Sequence, residues 1–509
     1  MKCEYIIVQA GGKGTRMEYL TANKPKALVP VGNLPMLFHL FRKYPDRKFI
    51  IIGDYKIDVL RKYLQSFADV RNIVVSAVGR KGTCAGIKDA LRIIPNDRNF
   101  MLIWSDLILP EEFQLPKEYE KDCACDSNYV GLSKDFRCRW RYEDGQFDEI
   151  PSEDTGVAGF FLFKNKDALR DVPSEGEFVR WLKESGMQFD TVDLYRTKEY
   201  GLLEVYNRSE RLEGGRCRPF NKITEKDGWL IKEGIDEQGR RLAVREKEWY
   251  REVSRFDFTA IPRIKSFEPF MMEKIDGKNI YAYDLTHQEK RAVLEKIIGC
   301  LKELHKLGEC ETDYYSLQNA YVDKTFERLA KIRNMVPFAD ERYITVNGRR
   351  CRNVFFYQSE LREKFADYDV PVFKFLHGDC TFSNMMLRRG AEPVLIDPRG
   401  YFGYTELCGD EAYDWAKLYY SIVGNYDRFN LKHFRLDIGE QEVHLSIESN
   451  GWEDMEEDFF ELIGNSVSKE DIKLIHAIIW LSLTTYAWED YDSICGAFYN
   501  GLYYLEQVL

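Results

Sequence analysis

No stretch of this sequence is long and apolar enough to cross a bilayer. The strongest contender, LIHAIIWLSLTTYAW, is interrupted by His476 and two threonines and predicts a buried helix. A signal peptide is not expected either, because Lys2 and Glu4 precede only a short apolar run. Cysteine never occurs with CxxC spacing, and the close pair Cys123/Cys125, with Cys138 beyond it, has no histidine nearby. A zinc site is therefore not predicted, and a reduced, cytoplasmic protein is. Basic excess is lacking as well: the net charge is −11, which argues against a nucleic-acid partner. It does not exclude nucleotides, since a local cluster of Lys and Arg can bind phosphate in an acidic protein. No repeat or low-complexity linker is visible.

What the sequence does have is two changes of texture. Residues 4–110 alternate between apolar runs (YIIV, KFIIIG, NIVVSAV, FMLIWSD) and amphipathic stretches (MLFHLFRKY, KIDVLRKYLQSF, GIKDALRII). Continuous apolar strands between helices predict a parallel α/β sheet covered on both faces. Ligands bind such sheets at the carboxyl ends of the strands. GVAGFFLF predicts a further buried strand, and EGEFVRWLKESG a helix ended by glycine. From about residue 206, GWLIKEGI and FMMEKIDG read as short antiparallel strands around a helix, AVREKEWYREV. Helical patterns dominate from about residue 286. The expected domains are 1–205 and 206–509, the second with lobes at about 206–275 and 276–509. At 509 residues two or more domains are expected in any case.

Each half carries a phosphate-handling pattern. In the first, GGKGTRMEYLTANKPKALVPV follows the first strand. Glycines let backbone N–H groups approach phosphates closely. Arg16 and Lys26 add positive charge where a triphosphate would lie, and Pro25 and Pro30 stiffen the segment holding Lys26. Asp106 ends the fourth strand, where a rigid carboxylate suits Mg²⁺ bound to a nucleotide. In the second half, HGDCTFSN places Asp379 five residues before Asn384, and LIDPRG brings Asp397 after a β-type run. A kinase needs a proton acceptor for the substrate hydroxyl and Asn and Asp oxygens for its metal, in that order.

The first pattern, a GGxGTR loop followed by PKxLxPV, resembles the nucleotidyltransferases that activate sugar 1-phosphates and phosphocholine. The resemblance implies a Rossmann-like, GT-A-like α/β fold. It also implies that Gly11, Gly12, Gly14, Thr15 and Arg16 hold the triphosphate and that Lys26 holds phosphates during attack. KGTCAGIKDAL resembles the family's segment beside base and ribose, implicating Gly82, Thr83 and Ala85. Asp106 falls on the family's metal-binding Asp. A second metal carboxylate is expected late in the domain, with Glu199 the candidate and Glu204 and Asp193 its competitors. The second pattern resembles the aminoglycoside phosphotransferase and choline kinase family, an α+β, protein-kinase-like fold. It implies Asp379 as catalytic base and Asn384 and Asp397 as metal ligands. Lys232 would be the phosphate-binding lysine, with Glu246 its helix partner and Glu248 the alternative. FMMEKIDG, with Glu273, resembles the hinge that receives adenine. LEGGRCRPFNK sits where a phosphate-covering loop belongs but lacks a full GxGxxG. His377 and Asp414 are expected to shape and tie down the catalytic loop.

The two resemblances together imply consecutive steps with Mg²⁺: ATP phosphorylates a small alcohol or the anomeric hydroxyl of a sugar, and a second NTP, CTP or UTP, is joined to that phosphate. Such products usually feed cell-surface polysaccharide. Choline or ethanolamine is the alternative acceptor, for which Tyr401, Tyr404, Trp415, Tyr419 and Tyr420 could supply an aromatic cage. A domain kept as an inactive regulatory module, and aminoglycoside resistance, are the other readings. The small molecule, the base and the oligomeric state are not legible in the sequence.

Overall fold

The computed structural model describes residues 3–120, 125–212, 221–235 and 237–509. These form two compact units. One comprises the chain up to residue 214 together with Glu489–Asp492, and the other the remainder.

The first unit is built on a mixed sheet. Its parallel strands are β1 (Tyr5–Gln9), β2 (Lys48–Gly53), β3 (Arg71–Ser76) and β4 (Phe100–Trp104). Helices α1 (Met36–Lys43), α2 (Ile57–Phe67) and α3 (Ile87–Leu91) fall between them in sequence. The strand order is β3-β2-β1-β4, so the direction of winding reverses between β1 and β4. That reversal opens a crevice at the strands' carboxyl ends. Register pairs Gln9 with Trp104, so the glycine loop and Asp106 leave the sheet side by side.

Beyond β4 the sheet turns antiparallel through β5 (Gly156–Phe163), all eight residues of which are buried. Phe160, Phe161, Leu162 and Phe163 are fully enclosed there, each such side chain stabilising the fold by about 1.5–3 kcal/mol. The helix α4 (Phe178–Ser185) begins where the Glu177 carboxylate accepts from the Val179 and Arg180 amides. It ends on Gly186 in the left-handed conformation.

The second unit starts with an antiparallel sheet. It contains β6 (Asn221–Lys226), β7 (Trp229–Gly234), β8 (Ile264–Phe267) and β9 (Phe270–Glu273) in the order β6-β7-β9-β8. Helix α5 (Glu237–Val253) lies between β7 and β8 in sequence and packs on β7. The helical part includes α6 (His287–His305), opened by a Thr286/Glu289 capping box, and α7 (Lys324–Ile332). It continues with α8 (Glu411–Ile422), α9 (Lys469–Leu483) and α10 (Tyr491–Leu505). The run LIHAIIWLSL is the buried half of α9, and no described helix is long and apolar enough to cross a membrane.

One feature departs from the expectation of helices after residue 286. Tyr343–Val346, Arg349–Arg352, Phe434–Ile438 and Glu442–Ile447 make a four-stranded sheet. The last strand buries alternate residues, the period-two signal that the helical reading passed over.

Candidate active sites

In the first unit the glycine loop begins at Ala10, whose amide donates to the Ile52 carbonyl at 2.9 Å. Gly11 runs close to β2: a side chain there would stand 3.1 Å from the Asp54 Cβ. Gly14 has φ +64°, a conformation glycine adopts without strain, and its carbonyl accepts from the Met17 amide at 2.8 Å. Gly12, Thr15 and Arg16 are exposed at the rim.

Pro25 leads into the short helical turn Lys26–Leu28, which aims the lysine back across the crevice. Its ammonium is ion-paired with the Asp106 carboxylate. Glu199 lies in a two-residue strand paired with Leu107, which brings it beside Asp106. Burial raises the Glu199 carboxyl above its usual value, and Asp106 acts in the same direction. Lys26 and Arg16 oppose them. Four charged groups from three separate parts of the chain therefore meet at the β1/β4 crevice. The competing carboxylates do not join them: Asp193 is exposed 4.0 Å from Lys134, and Glu204 is exposed on its own helix.

The segment holding Gly82, Thr83 and Ala85 is positioned by a residue that sequence reading missed. The Gln9 side-chain amide, at the end of β1, donates to the carbonyls of Thr83 at 2.6 Å and Ala85 at 3.2 Å. Thr83 Oγ1 in turn accepts from the Phe178 amide at 2.8 Å, so that hydroxyl anchors the start of α4. Gly82 has φ +88°, and a side chain there would lie 2.2 Å from the Gly176 carbonyl oxygen. Its glycine is required by packing against the loop before α4.

In the second unit Lys232 on β7 is buried. It donates to Glu246 on α5 at 2.9 Å and to Asp397 at 2.6 Å. Burial disfavours its charge, but Asp397 and Glu246 together hold it above the ordinary lysine value. Glu248 instead pairs with Arg251 at 3.0 Å. Asn384 donates to both the carbonyl and the carboxylate of Asp379, at 2.9 and 3.0 Å, and Lys417 lies 2.9 Å from the other Asp379 oxygen. The Ile396 amide donates to the Asn384 carbonyl at 2.9 Å, linking the Asp379 loop to the Asp397 loop.

The histidine of HGD is structural. The Asp379 amide donates to its Nδ1 at 3.3 Å, which leaves Nε2 to carry the proton toward the Ile396 carbonyl at 3.0 Å. Burial holds His377 below its usual value, keeping it neutral. Asp414 accepts from the His377 and Gly378 amides at 2.9 and 2.8 Å and from His305 at 3.2 Å. Glu273 is tied up: its amide donates to the Arg263 carbonyl, and its carboxylate meets Arg263 and Arg388, both at 3.2 Å. Its carboxylate is thus a clasp between β9 and the strand Met385–Arg388. Most of LEGGRCRPFNK, like Cys123, lies outside the described residues.

Lys232, Glu246, Asp379 and Asp397 line one cavity of about 380 Å³. Of the five rings considered for an aromatic cage two reach it, and Phe402, Tyr413, Tyr426 and Tyr486 line it as well. Tyr401 and Tyr420 line the cavity, Trp415 and Tyr419 are buried, and Tyr404 is 71% exposed. Among the lining residues that sequence reading missed, Lys417 and Arg399 sit inside motifs quoted for their aspartates. Lys324 and Arg328 show only as an i, i+4 basic pair.

The chain is a two-domain transferase. Residues 6–116 match the family model of the MobA-like NTP transferase domain, and residues 236–440 that of the phosphotransferase enzyme family. A UTP–glucose-1-phosphate uridylyltransferase of Haloferax volcanii is 25% identical over 174 residues, covering 31% of this chain and 70% of that protein. A mannose-1-phosphate guanyltransferase of Emericella nidulans is 29% identical over 122 residues, 23% of this chain and 34% of that protein. Among solved structures, the inositol-1-phosphate CTP transferase of T. maritima overlaps 43% of this chain and 99% of its own, at 15% identity and a TM-score of 0.34.

Proposed function

We propose that the two domains catalyse consecutive steps. The phosphotransferase domain moves the ATP γ-phosphoryl group to a hydroxyl of a small molecule, with the anomeric hydroxyl of a sugar as the favoured acceptor. The hydroxyl proton goes to Asp379, an O–Pγ bond forms, the bond from Pγ to the bridging oxygen breaks, and ADP leaves. The nucleotidyltransferase domain then lets an oxygen of the new phosphate attack the α-phosphorus of CTP or UTP. That step releases pyrophosphate and yields an NDP-activated precursor suited to cell-surface polysaccharide.

The observation that carries this reading is that both halves gather complete charge sets around a crevice. Asp379 is held by Asn384 and Lys417, so its carboxylate is oriented for accepting a proton. Lys232, locked by Glu246 and Asp397, is the fixed cation for the ATP phosphates. Lys26 and Arg16 supply charge where a pentacovalent phosphorus gains it. Gly11, Gly12, Gly14 and Thr15 leave room for phosphate oxygens along the loop.

The residues fit Mg²⁺ in both domains. Among the described residues no group of three or more His, Cys, Asp and Glu forms a ready-made metal cage. Mg²⁺ on a nucleotide does not need one, because one or two carboxylates plus phosphate oxygens suffice. Asp106 with the crowded Glu199 would hold it in one domain, and Asn384 with Asp397 in the other. When bound, the ion neutralises charge on the phosphate oxygens.

The test supplies ATP, each of CTP, UTP, GTP and dTTP, and a panel of sugars and amino alcohols, with products identified by mass spectrometry. An NDP-linked product whose phosphate derives from the ATP γ position is expected. A phosphorylated product that is never coupled to any NTP would refute the two-step reading.

A further inference from the structure

The cavity of the phosphotransferase domain carries more positive charge than its carboxylates balance. Five cations line it: Lys232, Lys324, Arg328, Arg399 and Lys417. Three acids face them, and all three are engaged. Glu246 and Asp397 pair with Lys232 at 2.8 and 2.6 Å, and Asp379 pairs with Lys417 at 2.9 Å. Among the described residues, Lys324, Arg328 and Arg399 have no carboxylate within ion-pair distance.

These three cations are hydrogen-bonded or stacked against neutral groups, with the Asp379 charge also acting on Arg399. Lys324 and Arg328 stand one turn apart on α7 and share a face of the helix. The Arg328 guanidinium donates to the carbonyl and hydroxyl oxygens of Ser482 at 2.5 and 2.9 Å. Arg399 donates to the Tyr413 hydroxyl at 2.8 Å. Around the Tyr401 ring stand Arg245, Arg399 and Lys324, at 4.2, 5.8 and 5.9 Å from its centre. Burial, together with Arg399, Arg328, Lys417 and Arg245, lowers the Lys324 ammonium to about 7. Like charges gathered in a partly buried cavity cost free energy unless an anion enters. The nucleotide would not use up this excess: ATP carries about four negative charges, and two divalent ions, the number protein-kinase sites hold on Asn and Asp oxygens, would balance them.

We propose that the acceptor of the phosphotransferase domain is itself an anion, a sugar or polyol bearing a carboxylate or a phosphate, and that Lys324, Arg328 and Arg399 hold that group. The inference rests on the kinase reading above and narrows its substrate class. It turns away choline, ethanolamine and aminoglycosides, which are cations. The lining tyrosines that might have caged an ammonium already face protein cations: Tyr401 as described, Tyr413 with Arg399 and Lys417 each 5.9 Å from its centre, Tyr420 and Tyr426 with Lys417 at 5.3 and 5.9 Å, and Tyr486 with Arg328 at 5.9 Å.

The test uses the full chain with ATP and three sugar series, glucose, mannose and galactose, each as neutral sugar, uronate and 6-phosphate, plus choline and kanamycin. ADP release is read above the slow acceptor-free hydrolysis, and products are identified by mass spectrometry. At least one anionic member should raise turnover about tenfold or more over its neutral parent, the scale of a charge-assisted contact. The uronate and 6-phosphate arms distinguish carboxylate from phosphate. Arg328→Gln should raise KM for that anion more than KM for ATP, and Arg328→Lys should recover part of the loss. Stimulation by a neutral sugar, choline or kanamycin equal to that of every anion overturns the proposal. So does the lack of stimulation by any anion, or a larger effect of Arg328→Gln on KM for ATP. ADP release absent from every sample, acceptor-free included, instead removes the kinase reading on which the proposal stands.

Discussion

The Asp414 carboxylate and the His305 ring meet 3.2 Å apart beneath the HGD loop, and both are buried. The same carboxylate receives two backbone amides of that loop, so the loop's shape hangs on this contact. Asp414→Ala should lower stability by about 3–5 kcal/mol, the cost of leaving a buried charge and its donors unpaired. Chemical denaturation of the variant and the parent checks it.

The same pair sets a pH window. Burial works against the Asp414 charge, but His305 and the His377 amide hold its carboxyl below the usual value. Burial also works against charging His305, but Asp414 and Glu411 raise it above the usual value. The Asp414 contribution is present above an unfolded value of about 3.9 and is lost as pH falls through its lowered folded value. The His305 contribution is full below about 6.5 and is lost as pH rises through its raised folded value. The difference in melting temperature between parent and His305→Phe should therefore be largest at about pH 4–6.5 and shrink on either side. A difference that keeps growing through pH 9 would contradict the pairing.

Asp379→Asn should abolish phosphorylation of the acceptor, X, and spare coupling of supplied X–phosphate to NTP. Lys417→Met should be milder and pH-dependent. Without the Lys417 ammonium 2.9 Å away, proton transfer to Asp379 is the step that changes, so the pH profile of kcat should differ from the parent's and the rate at neutral pH should fall. A pH–rate series on both variants checks this.

Lys26→Ala should slow pyrophosphate release on the order of a hundredfold or more while ATP-dependent phosphorylation continues. Asp106→Ala, given ATP, NTP and acceptor, should accumulate X–phosphate and make no NDP–X. Mixing it with Asp379→Ala should restore NDP–X through the free intermediate. An early lag relative to the parent would show that fusion raises the local concentration of that intermediate. The time courses of X–phosphate and NDP–X in the three samples are the measurement.

Lys324 titrates near neutrality, at about 7, first because it is buried and then because Arg399, Arg328 on its own helix, Lys417 and Arg245 face it with the same sign. A bound carboxylate needs the protonated form. Affinity for a uronate should therefore be level below about pH 7 and weaken above it, with proton uptake on binding. Calorimetry in two buffers of different ionisation enthalpy reads that uptake directly. Lys324→Met should abolish the pH dependence.

The chemistry of each half was legible in local sequence. A glycine loop after an apolar strand, PKALVPV, HGD with Asn384 five residues on, and IDP are patterns whose spacing the backbone must respect wherever the chain goes. Asp379 and Asp397 line one cavity, and Asn384 meets Asp379. Lys232 with Glu246, not Glu248, was also within reach, because strand and helix are neighbours in sequence. Tertiary structure decided what depends on distant segments. Glu199, not Asp193 or Glu204, reaches Asp106 because a two-residue strand pairs it with Leu107. Gly82 serves packing because the loop before α4 crosses 94 residues later in the sequence, at Gly176. The sign of the acceptor cavity was hidden for the same reason. Lys324, Arg399 and Lys417 look like ordinary solvated charges in a chain of net charge −11. Only folding sets them against one cavity, where Coulomb energy depends on separation in space and on lost water, neither of which sequence distance encodes.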